Sequence, residues 1–182
     1  MFWRCVLLSG PAGSGKTTVC RLGHHTMLAT WGHPTAAIDA DQLYANVDAR
    51  WELPYDDERN AMVLTQAAQL AGSLFEHGWP TVIICGNSLF EPAGTAPVLT
   101  TLCPIARVHH VTLTPDPATL LRRCATAPRR DPSRLAADAA LHARKAHPGT
   151  ARLDNTNLDP EQTLTAIARL IDSGAGRLPC PT

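Results

Sequence analysis

The residues with the clearest chemistry lie close to the N-terminus. The stretch from Gly10 to Thr17 reads GPAGSGKT and fits the phosphate-binding pattern GxxxxGK[ST] at every fixed position. Glycines let successive backbone N–H groups converge on the oxygens of a triphosphate without a Cβ in the way. The helix expected to begin near Lys16 adds the positive end of its dipole. We therefore expect this loop to bind a nucleoside triphosphate.

Two side chains of the loop have separate tasks in this interpretation. Lys16 would reach the β- and γ-phosphates, and the Thr17 hydroxyl would ligate Mg²⁺, a cation that keeps most of its own water. The cofactors implied are ATP and Mg²⁺, with GTP left open in place of ATP. The predicted nucleotide-binding residues of the loop are Gly10, Pro11, Ala12, Gly13, Ser14, Gly15, Lys16, Thr17 and Thr18.

A pair of carboxylates follows the second apolar run of the chain. Asp39 and Asp41 lie at its end, and ligands of open α/β sheets bind beyond the carboxyl ends of the strands. If the strand continues through both residues, alternation projects both side chains to the same side. One carboxylate could then hold a metal-bound water while the other accepts a proton from an attacking hydroxyl. The alternative is that either aspartate only caps a following helix at 42–47.

Length and charge limit the classes of function. The 182 residues suit one domain, expected at 1–173, with a flexible tail at 174–182. Lys plus Arg equals Asp plus Glu, at 16 each, so we expect no nucleic-acid or membrane partner and a small-molecule substrate instead. No signal peptide or membrane-length apolar run is visible, which predicts a cytoplasmic protein. A homodimer is left open.

Apolar runs bounded by turn residues alternate with helix-length segments, which indicates an α/β fold with a parallel sheet covered on both faces. The predicted strands are 2–9, 35–39, 81–85, 108–113 and 151–153. Predicted helices begin at Lys16 and near 42, 56 and 135, and two more follow the Asp-Pro pairs at 116–117 and 159–160, where an acid caps a helix that opens on proline. Gln162 is placed to complete a capping box with Asp159.

The helix at 56–76 carries an apolar stripe that should face the sheet. Its members recur at helical spacing, at Val63, Ala67, Leu70, Ala71 and Leu74. The stretch 126–134 is rich in Pro and Arg without an apolar pattern, which predicts a mobile loop before the helix at 135–146.

These motifs resemble the small-molecule kinases of the nucleoside-monophosphate-kinase-like P-loop superfamily, especially adenylylsulfate kinases and gluconokinases. The resemblance rests on GPAGSGKTT at 10–18, DADQL at 39–43 and DDER at 56–59. It implies a three-layer P-loop fold with sheet order 2-3-1-4-5 and a lid at about 122–146. It also implies transfer of the γ-phosphoryl group of ATP to a hydroxyl of a small molecule.

The same resemblance implies roles for individual residues. Asp41 becomes the candidate general base, with Asp39 as its magnesium-side partner, and the two exchange roles in the open alternative. Arg59 would orient the acceptor, unless it only forms a surface ion pair with Asp56 or Asp57. The remaining predicted positions are Tyr44 and Asn87 near the acceptor, Arg122 and Asn155 near the nucleotide, and the lid arginines Arg129 and Arg130 over the transferring phosphoryl group.

Departures from these families leave the acceptor open. Arg59 and Asn60 are adjacent where adenylylsulfate kinases space such residues three apart, and Tyr44 stands where gluconokinases have a histidine. From Arg107 onward the chain resembles tunicamycin-resistance proteins and other antibiotic phosphotransferases. A nucleoside or sugar-containing antibiotic is therefore the expected acceptor. The alternatives are an adenylylsulfate-, gluconate- or nucleotide-type metabolic kinase, and a non-catalytic nucleotide-binding switch.

Overall fold

The five predicted strands form one parallel sheet. A computed structural model describes residues 3–47, 57–125 and 132–181. The strands are β1 (Trp3–Ser9), β2 (Thr35–Asp39), β3 (Thr81–Cys85), β4 (Ala106–Leu113) and β5 (Ala151–Leu153). Their order in the sheet is β2-β3-β1-β4-β5, as predicted, and β4 begins two residues earlier than expected.

The register brings three strand ends to one edge. Leu8 of β1 pairs with Cys85 of β3, and Cys85 pairs in turn with Asp39 of β2. The phosphate-binding loop that leaves β1 therefore begins at the same level as Asp39. This alignment makes the edge a shared site, since all three chain segments leave the sheet there.

Helices cover both faces within the described ranges. They are α1 (Lys16–Trp31), α2 (Ala40–Val47), α3 (Asp57–Glu76), α4 (Pro92–Leu102), α5 (Pro117–Cys124), α6 (Pro132–Lys145) and α7 (Pro160–Asp172). Alternate residues of β1 pack into the two cores, with Val6 and Leu8 facing α1 and α7, and Cys5 and Leu7 facing α3 and α4. Because both faces are covered, the central strands are apolar at nearly every position. None of the helices in the described part of the chain is long and apolar enough to span a membrane.

The predicted helix caps are confirmed. Asp116 accepts the Thr119 N–H at 2.6 Å, and Asp159 and Gln162 form a reciprocal capping box.

The stripe predicted on α3 is wrong at one residue. Leu70 is 45% exposed, whereas the buried residues of α3 are Val63, Leu64, Ala67, Ala68, Ala71 and Phe75. The buried face is therefore rotated toward Leu64 and Ala68. Both lie four residues from a buried neighbour, the spacing that places side chains on one face.

The connection between β3 and β4 contains elements that the sequence did not predict. A 3₁₀ turn at Asn87–Phe90 is followed by α4, which opens on Pro92 and contains Pro97. Proline and glycine disfavour a helix interior. Burial of Val98, Leu99 and Leu102 in the core shared with α3 overrides that preference.

The C-terminal segment, for which a flexible tail at 174–182 was predicted, forms backbone hydrogen bonds with β4, and its flexibility stays a prediction. Gly176 accepts the N–H of His110, and Leu178 donates to the carbonyl of Val108. These bonds form an antiparallel bridge between Arg177 and His109, on the edge of β4 that faces away from β1. The bridge lies N-terminal to the part of β4 that pairs with β5. Leu178 is buried in the core, which gives the segment an apolar anchor that its glycines and prolines concealed.

Candidate active site

A cavity of about 560 Å³ opens at the carboxyl edge of the sheet. The phosphate-binding loop forms its floor, and the ends of β2 and β3 form one wall. The segment after β5, with the start of α7, forms the opposite wall. The lining residues are Ala12, Gly13, Gly15, Lys16, Thr17, Thr18, Val19, Asp39, Asp41, Gln42, Asn87, Arg123, Cys124, Asn155, Leu158, Pro160 and Thr163.

The loop has the backbone that its glycines predict. Gly10, Gly13 and Gly15 have φ of 147°, 83° and 98°, a region that other residues rarely adopt. Gly13 is further constrained because a Cβ there would lie 2.5 Å from the sulfur of Cys124 and 3.1 Å from the carbonyl oxygen of Leu120. The loop therefore packs directly against α5.

Lys16 lies inside the loop. Its ammonium group donates to the carbonyl oxygens of Gly10 and Pro11, and only 7% of the residue is exposed. A buried ammonium group is costly unless it is compensated. The carbonyls hold Lys16 at the floor of the cavity, where its ammonium group can meet the negative charge of a bound anion.

The two carboxylate oxygens of Asp39 have different surroundings. Oδ1 accepts the N–H groups of Asp41 and Gln42, at 3.1 and 3.3 Å, and so caps α2. Oδ2 is buried and has no hydrogen-bond partner among the described residues. Asp39 therefore has the capping role that the sequence analysis gave as an alternative. Its second carboxylate oxygen takes no part in the cap. Such an oxygen fits a cation.

Asp41 does not continue the strand. The expectation that alternation along β2 aligns the two aspartates is wrong, because α2 begins at Ala40 and Asp41 lies in its first turn. The two carboxylates still reach the same cavity. Oδ1 of Asp41 accepts the backbone N–H of Asn87 at 3.0 Å, which fixes Asp41 against the segment that leaves β3.

The opposite end of the cavity is fastened by Asn155 and Arg123. The amide of Asn155 donates to the Ser14 carbonyl at 3.0 Å, and Asn155 is buried. The guanidinium of Arg123 donates to the carbonyls of Asn155, Ser14 and Leu158, at 3.0, 3.4 and 3.5 Å. These bonds join the phosphate-binding loop to the segment that was predicted to line the nucleotide pocket.

Arg123 was missed by the sequence interpretation, which selected its neighbour Arg122. Arg122 is exposed and donates to the Thr119 hydroxyl at 3.0 Å, whereas Arg123 lines the cavity. The Asp116-Pro117 cap fixes the first residue of α5, and Arg123 then lies four residues after the buried Thr119. That helical phase was the signal that could have identified Arg123. The nucleotide contact of Arg122 stays a prediction.

Asp138 of α6 is the second residue that the sequence interpretation missed. Its Oδ2 accepts the backbone N–H of Ala12 at 2.8 Å, and its Oδ1 lies 3.5 Å from Nε2 of His142. Burial alone would raise the pKa of Asp138, but hydrogen bonds from His142 and Ala12 and the charge of Lys16 outweigh it and lower the pKa. Asp138 is therefore an anion that the phosphate-binding loop stabilises.

A buried polar network lies behind the loop. Ser9 Oγ is 2.7 Å from His110 Nε2 and 2.8 Å from Thr112 Oγ1. Burial, aided by the nearby His147 and His142, lowers the pKa of His110 to about 3, so its ring is neutral. Ser9, the residue that precedes Gly10, is thereby held by a neutral histidine.

Several predicted site residues do not line the cavity in the described part of the chain. Tyr44 is buried in α2, and Arg59 is exposed on the first turn of α3. Their contacts with an acceptor stay predictions. Asp56, Arg129 and Arg130 lie outside the described residues, so the first residue of the predicted α3 and the lid arginines stay predictions as well.

The arrangement combines three chemical capacities in one cavity. Backbone N–H groups and Lys16 can hold an anion, Asp39 Oδ2 and the Thr17 hydroxyl offer oxygens to a cation, and Asp41 can accept a proton. Within the described ranges, no group of three or more His, Cys, Asp or Glu side chains could hold a metal ion. A cation at Asp39 would therefore take its remaining oxygens from a nucleotide and from water.

Comparison with solved structures finds the same fold at low sequence identity. The tunicamycin resistance protein of Deinococcus radiodurans is 15% identical, covering 97% of this chain and 99% of its own, with a TM-score of 0.61. The APS kinase of Mycobacterium tuberculosis, solved with AMPPNP and APS, is 16% identical, covering 94% and 98%, with a TM-score of 0.65. The gluconokinase of Sinorhizobium meliloti is 17% identical, covering 94% and 95%, with a TM-score of 0.63.

No protein-family model and no curated protein sequence matches the chain. The likeness is therefore one of structure, and it agrees with the strand order and with the position of the phosphate-binding loop. The chain has the P-loop kinase fold, and its structural neighbours include an APS kinase and a gluconokinase.

Proposed function

We propose that this protein is an ATP-dependent phosphotransferase that moves the γ-phosphoryl group to a hydroxyl of a small molecule. One observation carries the proposal: Lys16 and Thr17 of the phosphate-binding loop share a single cavity with Asp39, Asp41 and Asn87. A site that only holds a nucleotide has no acceptor to deprotonate. A carboxylate fixed at the strand edge opposite the loop favours a transfer reaction over a switch.

The nucleotide would lie with its phosphates on the loop and its base toward Asn155 and Leu158. Backbone N–H groups of the loop and the Lys16 ammonium supply the charge compensation that phosphoryl transfer requires. Leu158, Pro160 and Thr163 give the far wall apolar surface for a purine.

The acceptor hydroxyl would approach from the side of Asp41 and Asn87. Asp41 is held by the Asn87 N–H, so its carboxylate can accept the hydroxyl proton without first being positioned by substrate. Thr17 and the free oxygen of Asp39 would hold Mg²⁺, which supplies neutralisation of phosphate charge when bound. Arg129 and Arg130 are proposed to close over the phosphoryl group.

A nucleoside or sugar-containing antibiotic is the proposed acceptor class. The support is the likeness to a tunicamycin resistance protein along nearly the whole of both chains, together with the departures from the adenylylsulfate and gluconate kinase patterns.

The test is a nucleotide-consumption assay with ATP and Mg²⁺ against sugar acids, adenylylsulfate, nucleosides, nucleoside monophosphates and hydroxylated antibiotics including tunicamycin. Products are identified by mass. We expect one acceptor class to gain one phosphoryl mass, with the Lys16→Ala variant inactive on the same acceptor. Tight ATP binding without modification of any acceptor would contradict the transferase proposal and favour the switch. Phosphorylation of adenylylsulfate, gluconate or a nucleotide would instead select the corresponding metabolic alternative.

A further inference from the structure

Helix α6 places a carboxylate directly on the phosphate-binding loop. Oδ2 of Asp138 accepts the Ala12 N–H at 2.8 Å, and Ala12 lines the cavity. The two residues are 126 positions apart, so this bond is a product of the fold and not of a local turn. The loop N–H groups and Lys16 are the donors that a phosphate needs, which makes an acidic side chain at this place unexpected.

The bond is built to hold a charged group. Asp138 is stabilised by the Ala12 N–H, by His142 and by the charge of Lys16. Hydrogen bonds with an ionised partner are about twice as strong as neutral ones. The carboxylate therefore acts on the loop as an internal anion, in the same way that a phosphate oxygen would act from outside.

The helix that carries Asp138 is anchored close to the acceptor side of the cavity. His142 is 3% exposed and stacks on Phe90, with ring centroids 4.2 Å apart and planes at 29°. Phe90 ends the 3₁₀ turn that begins at Asn87, and its carbonyl accepts the N–H of His147. His142 therefore fixes the side chain of Asp138. If the Asp138 side chain rotates away from Ala12, its contact with His142 must also change.

We propose that Asp138 competes with the terminal phosphate of the nucleotide for the Ala12 N–H and for the charge of Lys16. This inference rests on the proposed nucleotide site and adds a determinant of its affinity. Two anions that share one N–H donor each bind it less strongly, and they repel one another beside the same ammonium group. Binding of the phosphates must therefore release Asp138 or proceed against its charge. If the carboxylate is neutralised, nucleotide binding has to overcome neither the release of the charged Asp138 side chain nor its repulsion of the phosphates.

The competition predicts which ligands are affected. A ligand with a polyphosphate meets the carboxylate, whereas adenosine meets only the wall near Asn155 and Leu158. Asp138 should therefore weaken the binding of a non-hydrolysable ATP analogue and of tripolyphosphate, and leave the binding of adenosine unchanged. This selectivity separates an effect of charge at the loop from a general change in stability.

The experiment measures the Kd of these three ligands by titration calorimetry for the full chain. Asp138→Asn keeps the shape and a hydrogen-bond acceptor but removes the charge, and Asp138→Ala removes both. Asp138→Glu keeps the charge. The matched control is Glu76→Gln, which removes one negative charge at the exposed end of α3.

Loss of a charged hydrogen-bond partner is expected to tighten binding of the ATP analogue and tripolyphosphate about tenfold or more in the Asn and Ala variants. Asp138→Glu and Glu76→Gln should bind as the natural protein does. Unchanged or weaker polyphosphate binding in both neutral variants would overturn the proposal, because Asp138 would then not oppose the phosphates. An equal gain for adenosine would overturn it too.

The outcomes also separate this inference from the proposed function. If the natural protein binds the ATP analogue and Lys16→Ala does not, the nucleotide site is present, and only the Asp138 variants decide the competition. If neither the natural protein nor any Asp138 variant binds a polyphosphate, both proposals fail. Binding that appears only in the neutral variants supports the competition in its strongest form.

Discussion

The side-chain amide of Asn155 donates a hydrogen bond to the main-chain oxygen of Ser14 across 141 positions of sequence. Asn155 follows β5 at one end of the sheet, and Ser14 belongs to the loop that leaves β1 in its centre. The bond ties the floor of the cavity to its far wall. Arg123 reinforces the junction because it donates to the carbonyls of both residues.

Replacing Asn155 should loosen this junction. Asn155→Ala leaves the buried Ser14 carbonyl with the longer Arg123 contact, and loss of one buried hydrogen bond costs about 1–3 kcal/mol of stability. We expect a lower free energy of unfolding in urea and weaker ATP binding. Asn157→Ala is the matched control, since Asn157 is exposed two residues away. Equal effects of the two substitutions would contradict the role of the bond.

Lys16→Ala should reduce turnover at least about a hundredfold, because it removes the cation that meets charge developing on the phosphates. The measurement is kcat with ATP and the acceptor found in the assay. Lys145 is the only other lysine of the chain, and it forms an exposed ion pair with Glu91 at 3.3 Å. Lys145→Ala should therefore retain activity. Undiminished turnover by Lys16→Ala would refute the function of the loop.

Asp41→Asn tests the general base. We expect kcat to fall by roughly 10²–10⁴ while the affinity for ATP is largely retained. An asparagine can still accept the Asn87 N–H, so the local structure should survive. Equal losses of kcat and of ATP affinity would indicate that Asp41 is structural. Asp39→Asn should differ, with a marked increase in the Mg²⁺ concentration required.

Two helical glycines should respond in opposite directions to alanine. A Cβ at Gly94 would lie 1.7 Å from the carbonyl oxygen of Ser88, whereas at Gly72 it would meet Ile105 Cδ1 at 3.8 Å, an ordinary contact. Gly94→Ala should lower stability by about 1–3 kcal/mol through overpacking. Gly72→Ala should be neutral or raise it by about 0.5–1 kcal/mol. Thermal unfolding of both variants checks the close approach of α4 to the 3₁₀ turn.

Stability should fall as the solution becomes acidic, because His110 is buried in its neutral form. Its pKa is lowered from 6.5 to about 3, so between these values the unfolded chain binds the proton and the folded chain does not. The free energy of unfolding therefore rises with pH in this range. The part that neutral His110 contributes decreases as the pH falls below about 6.5. For His110 alone, we expect a loss of about 2 kcal/mol between pH 7 and pH 5.

Urea unfolding at several pH values measures this dependence. His110→Gln should flatten the profile between pH 7 and pH 5, whatever its stability at pH 7. His77→Gln is the control, since His77 is exposed at the end of α3. Equal slopes for the natural protein and His110→Gln would show that this histidine does not titrate as its burial requires.

The sheet was predictable because its signal is local. The apolar runs of β1 and β3 are buried at nearly all positions, a glycine follows each of these two strands, and an aspartate ends β2. The topology alone was then enough to assign the phosphate-binding loop, Lys16 and the two aspartates to the carboxyl edge of the sheet. The hydrogen-bond partners of these side chains could not be predicted from the topology. The Asn87 N–H that holds Asp41 depends on the register of β2 against β3, which no short pattern specifies.

The errors have two physical causes. In α4, Gly94 and Pro97 disfavour a helix interior, and burial against α3 compensates for them. For Arg123 the phase of α5, which the Asp116 cap fixes, was a usable signal, whereas no comparable signal in the sequence indicated the phase of α6 that brings Asp138 to the loop. The antiparallel bridge at Arg177 depends on how far β5 extends beside β4, a length that composition does not reveal.

The fastening of Ser14 by Arg123 and Asn155 has a consequence for protein synthesis. The phosphate-binding loop leaves the ribosome before the strands on both sides of β1 and before the two residues that hold Ser14. A nascent chain that ends before Asn155 carries the complete GPAGSGKT sequence without the supports that shape it. The site is therefore completed only after Asn155 has been made, so a product truncated before Asn155 should bind ATP less tightly than the full chain.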